Sequence, residues 1–173
     1  FYPCVIPPKD WSSPVNGGYH TNKINSIPMI KTRNREYLEE MEYHSMPQEY
    51  GAINALQRTR WKVNTRVLSI IKKCWETGES WAKLPPREGY KVLPAPVSGS
   101  KKDMKPEELE QFIKWKKKAT IVYDLNAKMS SKRIQLSRTL MMADKFKDYP
   151  AIYFVYQMDF RGRKYTVNSF LTP

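Results

Sequence analysis

The sequence has few of the residues that build metal sites and disulfide frameworks. Its 173 residues include 2 cysteines and 2 histidines. Cys4 and Cys74 lie far apart and neither has a partner at metal-ligand spacing, so the sequence favours two free thiols in a reducing compartment over a disulfide or a zinc site. His20 and His44 also lack cysteine neighbours at such spacing, and we interpret them as surface or packing residues.

Long apolar runs and negative charge are scarce as well. No apolar run approaches the roughly 20 residues that span a bilayer, and the chain starts at Phe1 without a charged-then-apolar signal pattern, so we expect a cut end there. The 17 acidic residues are outnumbered by 30 Lys and Arg, which gives a formal net charge of +13. Such an excess favours a polyanionic partner, whether DNA, RNA or an anionic membrane surface. Because 40% of the residues are apolar, the composition excludes a wholly disordered chain.

Prolines and glycines divide the chain into segments. Residues 1–35 are punctuated by prolines that deny long helices, and they predict an extended arm with a turn at Asn16-Gly17-Gly18. Residues 36–76 are predicted to be helical, since apolar residues recur there at helical spacing. The clearest stripe consists of Val63, Val67, Ile70, Ile71 and Cys74. Residues 77–105 are rich in glycine, proline and serine, including Ser98-Gly99-Ser100, and predict a loop.

The C-terminal half carries a second helical region and the best strand. Residues 106–147 show apolar stripes on either side of Ser130-Ser131, which predicts a helical hairpin with a break at these serines. Residues 151–158 are β-branched and aromatic and predict a strand, and residues 167–171 predict the start of another. The predicted fold class is therefore mainly α with a few short strands.

The predicted strand ends in the motif Asp159-x-x-Gly162-Arg163. A strand end is a rigid place from which to aim side chains. Gly162 lacks a Cβ and lets a sugar-phosphate chain approach, while Arg161 and Arg163 offer planar forks for phosphate oxygens. Asp159 can hold one arginine in position or cap the local turn. The bare pattern is also typical of a charged β-turn without any ligand, so by itself it leaves both interpretations open.

Several sequence blocks in a fixed order give this motif its context. In chain order they are Pro7-Pro8-Lys9-Asp10-Trp11-Ser12 with Gly17-Gly18-Tyr19, Ala52-Ile53-Asn54-Ala55-Leu56-Gln57 followed by Trp61-Lys62-Val63-Asn64, Ser131-Lys132-Arg133-Ile134, and Met158-Asp159-Phe160-Arg161-Gly162-Arg163-x-Tyr165. Through these blocks nearly the whole chain resembles the bacteriophage-type single-subunit RNA polymerases, the family of phage and mitochondrial transcription enzymes. The sequence departs from the family at Thr65-Arg66, where only Arg66 can replace a basic pair, and at Phe160, where many phage members carry Trp.

The resemblance implies roles for individual residues. In the family the Asp-x-x-Gly-Arg segment contacts the template strand, a role that falls here on Asp159, Gly162 and Arg163. Arg161 lies nearby, and Tyr165 is expected near the template at the start of the RNA–DNA hybrid. The resemblance also implies that basic residues contact the hybrid. These residues are Lys62, Arg66, Lys132 and Arg133.

The resemblance further implies part of a right-hand polymerase. An N-terminal arm and palm-supporting helices are expected over residues 1–84, a helical thumb hairpin over residues 85–148, and a palm strand with the template-contact segment over residues 149–173. The family's metal-binding aspartates lie downstream of the Asp-x-x-Gly-Arg motif, so the Mg²⁺ site is expected outside this chain. Two-metal phosphoryl transfer needs clustered carboxylates. No catalytic and no metal-binding residue is therefore assigned, and the chain alone is predicted to be inactive.

The implied partners are a DNA template, an RNA transcript, nucleoside triphosphates, and a second polypeptide or C-terminal portion that carries the palm core and fingers. The sequence does not decide between a piece of a longer polymerase and one subunit of a split polymerase. A phage protein in the cytoplasm of an infected bacterial host is favoured over a protein of the mitochondrial matrix. Composition supports a non-catalytic basic nucleic-acid-binding module equally. A membrane partner is not expected, because the basic helices lack a strongly apolar opposite face.

Overall fold

The computed structural model describes residues 1–21, 27–79, 83–97 and 104–173. In chain order its elements are β1 Lys9–Ser13, β2 Asn16–Gly18, α1 Arg35–Glu42, α2 Pro47–Arg58, α3 Thr65–Thr77, α4 Pro106–Phe146, β3 Tyr156–Met158 and β4 Lys164–Thr166. The prediction of a mainly α-helical protein with a few short strands is confirmed. Within the described ranges, no helix is both long enough and apolar enough to cross a membrane. The predicted loop residues Ser98-Gly99-Ser100 fall outside those ranges.

The chain divides into two compact units. Unit 1 consists of Phe1–Leu68 together with Thr139–Pro173, and unit 2 consists of Ser69–Arg138. Helices α3 and α4 contribute residues to both units. The assignment of palm-supporting, thumb and palm-strand parts to residues 1–84, 85–148 and 149–173 stays a prediction.

The core of unit 1 is built around Trp11, of which 2% is exposed. β1 and β2 form an antiparallel hairpin whose turn lies at Pro14-Val15, so the predicted turn at Asn16-Gly17-Gly18 is wrong in position. Gly17 is needed for close packing and not for the turn. Gly17 has a φ of 152°, and a Cβ on it would lie 2.6 Å from Cε3 of Trp11. The indole therefore packs directly against the backbone of β2.

Residues that are distant in sequence complete this core. Its buried members are Trp11, Met29, Ile30, Ile53, Met142, Phe146, Ile152, Phe154, Val155, Tyr156 and Met158. They come from the N-terminal arm, from α2, from the end of α4, from the segment that leads into β3 and from β3 itself. Burial of their apolar surface is the main stabilising contribution to unit 1.

Helices α1, α2 and α3 confirm the helical prediction for residues 36–76, with breaks between them. At the start of α3 the Asn64 side chain accepts a hydrogen bond from the backbone N of Val67 at 3.0 Å, a cap that contributes about 1 kcal/mol. The apolar stripe that includes α3 is only partly covered, since Val63 packs against the core of unit 1 and Ile71 and Cys74 are half-buried. Val67 and Ile70 are 47% and 53% exposed, while Leu68 is buried. Part of the stripe is therefore covered, and Val67 and Ile70 lie at the surface.

Helix α4 is unbroken, so the predicted helical hairpin with a break at Ser130-Ser131 is wrong. A serine hydroxyl either caps a helix or bonds back to the carbonyl four residues earlier. Here Oγ of Ser131 donates to the carbonyl of Ala127 at 3.2 Å, which keeps the hydroxyl satisfied inside the helix. The helix start is fixed by Glu108, whose carboxylate accepts from the backbone N of Lys105 at 2.9 Å.

The strand predicted over residues 151–158 is confirmed only at its end, where β3 pairs with β4 in antiparallel orientation. Before β3, Ile152 and Tyr153 make only isolated bridges, each to a different segment of the chain. Regular pairing therefore cannot propagate through them. The further strand predicted at residues 167–171 is wrong, since β4 lies before that stretch.

In unit 2 an extended segment, residues 84–93, is tied along α4, and we call it the strap. Asn126 exchanges hydrogen bonds with the backbone N and O of Tyr90 at 2.7 and 2.8 Å, and Nε1 of Trp115 donates to the carbonyl of Leu93 at 2.7 Å. Among the unit 2 residues that the structure describes, only Ala119 is buried. Side-chain hydrogen bonds to the strap, and not an apolar core, hold this unit together.

Candidate nucleic-acid interface

Residues 159–163, which carry the Asp-x-x-Gly-Arg motif, form the loop of the β3–β4 hairpin. The backbone N of Asp159 donates to the carbonyl of Arg163, and the backbone N of Gly162 donates to the carbonyl of Asp159, both at 2.9 Å. The loop is thus closed by its own backbone. It is carried on two paired strands, which is a rigid support for the side chains of the motif.

The Asp159 carboxylate holds this loop from within, and 15% of its side chain is exposed. Its Oδ1 accepts from the backbone N of Arg161 and of Arg163 at 3.0 Å each, and its Oδ2 accepts from Nε of Arg163 at 2.8 Å. Partial burial raises the pKa of this carboxyl, but the hydrogen bonds from Arg163 and Arg161 outweigh it and leave the pKa below its usual value. Asp159 therefore caps the turn and also holds an arginine, the two roles that the sequence offered as alternatives.

The Arg163 guanidinium is anchored on one edge and exposed on the other. Nη2 lies 2.7 Å from Oδ2 of Asp159, and 58% of the arginine side chain is exposed. The hydrogen bond to Asp159 raises the pKa of Arg163. A guanidinium carries five N–H donors, so after Nε and Nη2 have served Asp159 the Nη1 edge remains for an external acceptor. Such a fork matches the oxygens of a phosphate.

Gly162 serves the shape of the loop. It has a φ of 78°, in the left-handed region where other residues are strained by about 1–2 kcal/mol. A Cβ built on it would meet no atom within 4 Å. The glycine is therefore required by backbone conformation, and the space beside it is open to a molecule outside the hairpin.

Each arginine of the hairpin loop makes a cation–π contact with an exposed aromatic ring. The Arg161 guanidinium lies 5.1 Å from the ring centroid of Phe160, and the Arg163 guanidinium lies 5.9 Å from that of Tyr165. The rings are 72% and 47% exposed. Exposed aromatics beside arginines are typical of surfaces that bind nucleic-acid strands. Sequence reasoning missed Lys164, whose Nζ donates to the carbonyl of Gly162 at 3.1 Å, although the basic run Arg161-Gly162-Arg163-Lys164 was a signal for it.

The predicted hybrid contacts Lys62 and Arg66 lie outside this hairpin, Lys62 shortly before α3 and Arg66 in its first turn. Both residues are exposed. Arg66 stands in the first turn of the helix, where a cation opposes the helix dipole.

The predicted contacts Lys132 and Arg133 belong to unit 2 and have different surroundings from each other. Nη1 of Arg133 donates to the carbonyl of Pro86 at 3.0 Å and to that of Glu88 at 3.4 Å, so this guanidinium holds the strap. Lys132 is exposed and is turned about 100° around the helix from its neighbour. The structure therefore brings Asp159, Arg161, Gly162, Arg163 and Tyr165 together in one hairpin, and it places the remaining predicted residues in other elements.

Comparison with known proteins adds a finding to this geometry. No protein-family model matches the chain. The chain is 36% identical over 174 residues to the RNA polymerase of Escherichia phage T7 and 35% identical over 172 residues to the DNA-directed RNA polymerase of Enterobacteria phage T3, and each alignment covers 98% of the chain. It is 28% identical over 175 residues, or 99% of the chain, to the chloroplastic DNA-directed RNA polymerase 3 of Nicotiana sylvestris.

This chain is a homologue of one segment of the single-subunit RNA polymerases. The resemblance inferred from its sequence blocks is confirmed. The chain spans 19% of the length of each of the two phage relatives and 17% of the length of the Nicotiana relative.

Several of the sequence blocks that carry the resemblance have structural roles. The backbone N of Trp11 donates to Oδ1 of Asn54 at 2.8 Å, and Nδ2 of Asn54 donates back to the Trp11 carbonyl at 3.0 Å. One turn later on α2, Gln57 is fully buried. Sequence reasoning missed the role of Gln57. Its position four residues after Ile53, on the buried side of α2, was the available signal.

The described part of this chain does not fit a Mg²⁺ site. It holds no group of three or more His, Cys, Asp or Glu side chains that could bind a metal ion. Both Asp159 oxygens are occupied by Arg161 and Arg163. Asp10 is likewise paired, with Arg58. No catalytic step through a metal ion is therefore derived for these residues.

Proposed function

We propose that this chain is a component of a DNA-directed RNA polymerase, in which the β3–β4 hairpin positions the template strand. Of the basic residues predicted to contact the RNA–DNA hybrid, Lys62, Arg66 and Lys132 make these contacts, and Arg133 instead holds the strap. The catalytic aspartates, with their Mg²⁺ and the site for nucleoside triphosphates, belong to the rest of the protein or to a second polypeptide. Homology to phage and chloroplast polymerases supports the polymerase component. The observation that carries the template role is the clamp between Asp159 and Arg163.

The clamp explains how an exposed arginine can place a strand accurately. A free arginine loses side-chain entropy when it binds phosphate, and that loss weakens binding. Asp159 has already fixed the Arg163 guanidinium through Nε and Nη2, so less freedom is lost on contact. Positive φ at Gly162 turns the chain so that Arg163 returns to Asp159. The hairpin therefore offers a template phosphate a preformed donor edge.

The aromatic rings and the remaining charge complete the proposed surface. Phe160 and Tyr165 offer exposed faces beside the phosphate-binding edge, and Arg161 adds a second cation. Phosphate contacts carry no base-sequence information, so we expect little sequence preference from this chain. Affinity is expected to fall with salt, with a log–log slope of roughly 0.9 for each phosphate contacted.

We place the protein in the cytoplasm of an infected bacterial host. The T7 and T3 relatives are 36% and 35% identical to it, whereas the Nicotiana sylvestris relative is 28% identical. This difference supports a phage origin over an organellar one.

The test is RNA extension on a pre-formed RNA–DNA scaffold with Mg²⁺ and nucleotides. The chain is assayed alone and then with the polypeptide encoded beside it, and scaffold affinity is measured in parallel. Arg163→Ala is compared with Arg58→Ala, since Arg58 is also an exposed arginine paired with an aspartate, Asp10. Both variants remove one charge and one ion pair, but only Arg163 lies in the hairpin.

We expect extension only in the mixture. Arg163→Ala should lower extension at least about tenfold, because small misplacements of reacting groups have large kinetic effects. Its scaffold affinity should fall by much less than its extension activity, because only one of several phosphate contacts is lost. Equal behaviour of the two variants in both assays would favour the non-catalytic binding module. Extension by the chain alone would show that it holds an active site of its own.

A further inference from the structure

Strand β3 is a short strand with a neighbour strand on one side only. β4 pairs along one edge, with Gln157 opposite Tyr165. On the other edge the backbone of Tyr156 is satisfied by two side chains. Its N donates to Oε1 of Gln57 at 3.2 Å, and its carbonyl accepts from Nε1 of Trp11 at 3.0 Å. These two side chains take the place of a strand.

Both the oxygen and the nitrogen of the Gln57 side-chain amide form hydrogen bonds in this arrangement. Its Oε1 also accepts from Nε1 of Trp11 at 3.1 Å, and its Nε2 donates to the carbonyl of Lys9 at 3.0 Å. Gln57 is 0% exposed and Trp11 is 2% exposed. One buried side chain of α2 is therefore bonded to both β1 and β3. Hydrogen bonds in such a buried setting are costly to break, because the groups left unpaired cannot turn to water.

This link lies close to the hairpin that carries the template-binding residues. Beyond Tyr156 the next residue facing the same edge is Met158, whose N donates to the carbonyl of Met29 and whose carbonyl accepts from N of Lys31, both at 2.8 Å. Asp159 follows at once. Strand residues advance by about 3.3 Å each, so Gln57 fixes the backbone at Tyr156, roughly 10 Å along the chain before the backbone of Asp159.

We infer that Gln57, together with Trp11, is a positioning residue for the Asp159–Arg163 hairpin. The two side chains fix the register and the tilt of β3 and thereby determine where the Arg163 guanidinium meets a phosphate. This inference rests on the proposed function of the hairpin. Neither residue touches nucleic acid itself, since both are enclosed in the core of unit 1.

A purely structural role for Gln57 makes a different prediction. If Gln57 only stabilised the fold, its replacement by an apolar side chain of similar length would lower stability and leave the contacts of the folded molecules unchanged. If Gln57 positions Arg163, the folded variant loses a phosphate contact although its charge is unaltered. The slope of scaffold affinity against salt separates these outcomes, because it counts phosphate contacts and is indifferent to stability.

The experiment uses the full chain and an RNA–DNA hybrid scaffold, with affinity measured by fluorescence anisotropy over a range of salt concentrations. The variants are Gln57→Met, Arg163→Ala and the double substitution. Ile53→Val is the matched control, since Ile53 is also 0% exposed and lies on the same helix but makes no bond to β3. Circular dichroism selects conditions in which every variant is folded. Trp11→Phe, which removes the indole N–H but keeps a ring in the core, is used if Gln57→Met does not fold.

We expect Gln57→Met to lower the slope by about 0.9, the value of one phosphate, as Arg163→Ala does. The double variant should show no further decrease, because the two changes remove the same contact. Ile53→Val should leave the slope unchanged. A normal slope in Gln57→Met beside a reduced slope in Arg163→Ala overturns the positioning role and leaves the proposed function standing. An unchanged slope in Arg163→Ala overturns the template contact itself and the inference with it.

Discussion

Units 1 and 2 are stabilised in different ways. Unit 1 has a continuous core that surrounds Trp11, and it carries the hairpin in which Asp159 holds Arg163. In the described part of unit 2 only Ala119 is buried, and the strap is held to α4 by side-chain hydrogen bonds. A packed core can fix a side chain to a fraction of an ångström, whereas a basic helix can place charge without such accuracy. Under the proposed function, we expect unit 1 to position the nucleic acid and unit 2 to contribute electrostatic attraction.

The sharpest test of this contrast is the loss of one tryptophan from each unit. Trp11→Ala is expected to destabilise the protein by about 3–5 kcal/mol, because it leaves a cavity in the core. Trp115→Ala should cost about 1 kcal/mol, the value of its hydrogen bond to the Leu93 carbonyl. Urea unfolding followed by far-ultraviolet circular dichroism measures both. Equal costs would show that unit 2 is packed as tightly as unit 1.

Two glycines with the same backbone strain sharpen the comparison further. Gly162 in unit 1 has a φ of 78°, and Gly78 in unit 2 has a φ of 76°. A Cβ on Gly162 would meet nothing within 4 Å, and one on Gly78 would lie 4.0 Å from Cδ of Arg87. Alanine at either position should therefore cost a similar amount, about 1–2 kcal/mol, from conformation alone. Thermal unfolding of the two variants is the measurement, and a silent Gly78→Ala would indicate that unit 2 unfolds separately.

The adjacent basic residues of α4 test how unit 2 uses its charge. Arg133→Ala removes the bonds to the Pro86 and Glu88 carbonyls and should destabilise the strap by about 1 kcal/mol. Faster amide hydrogen exchange at Tyr90 would report this loss. Lys132→Ala should leave that exchange unchanged and lower the salt slope of scaffold binding by about 0.9. The opposite assignment of effects would mean that Arg133 is the phosphate contact and Lys132 the strap anchor.

The smallest expected effect concerns two ion pairs of equal sequence spacing. Asp159 pairs with Arg163 in unit 1, and Glu110 pairs with Lys114 in unit 2. In the second pair the side chains of Glu110 and Lys114 are 67% and 69% exposed. Hydrogen bonds from Arg163 and from Lys114 lower the pKa of both carboxyls. A carboxyl with a lowered pKa stabilises the folded state above its ordinary pKa of about 4, and this contribution is lost as the pH falls through the folded value.

We expect the pH effect to be larger for Asp159, since only 15% of its side chain is exposed and solvent screens the pair less. Amide exchange at Arg163, measured by nuclear magnetic resonance between about pH 2 and 6, should accelerate as Asp159 takes up a proton. Asp159→Asn should abolish this pH dependence. A stronger response at Glu110 than at Asp159 would contradict the idea that unit 1 holds its charged groups more firmly.

Particular residues show how far the sequence alone could go. The helices of residues 36–76, the mainly α class and the polymerase resemblance followed from periodicity and from blocks such as Trp11-Ser12 and Arg161-Gly162-Arg163. The break at Ser130-Ser131 and the strand at residues 167–171 were wrong, because local propensity does not reveal which groups find partners inside a helix or across a sheet. The hydrogen bond from the Ser131 hydroxyl to the Ala127 carbonyl can be recognised only once the helix is known.

The sequence by itself determined the net charge, the mainly helical class and the location of the Asp-x-x-Gly-Arg motif. These properties depend on composition and on neighbours along the chain. Only the tertiary structure decided that Asp159 both caps the loop and anchors Arg163, and that Arg133 faces the strap while Lys132 does not. It also decided that Gln57 bonds to Tyr156, 99 residues away. Contacts of this kind depend on which segments meet across the core, and no local pattern encodes that meeting.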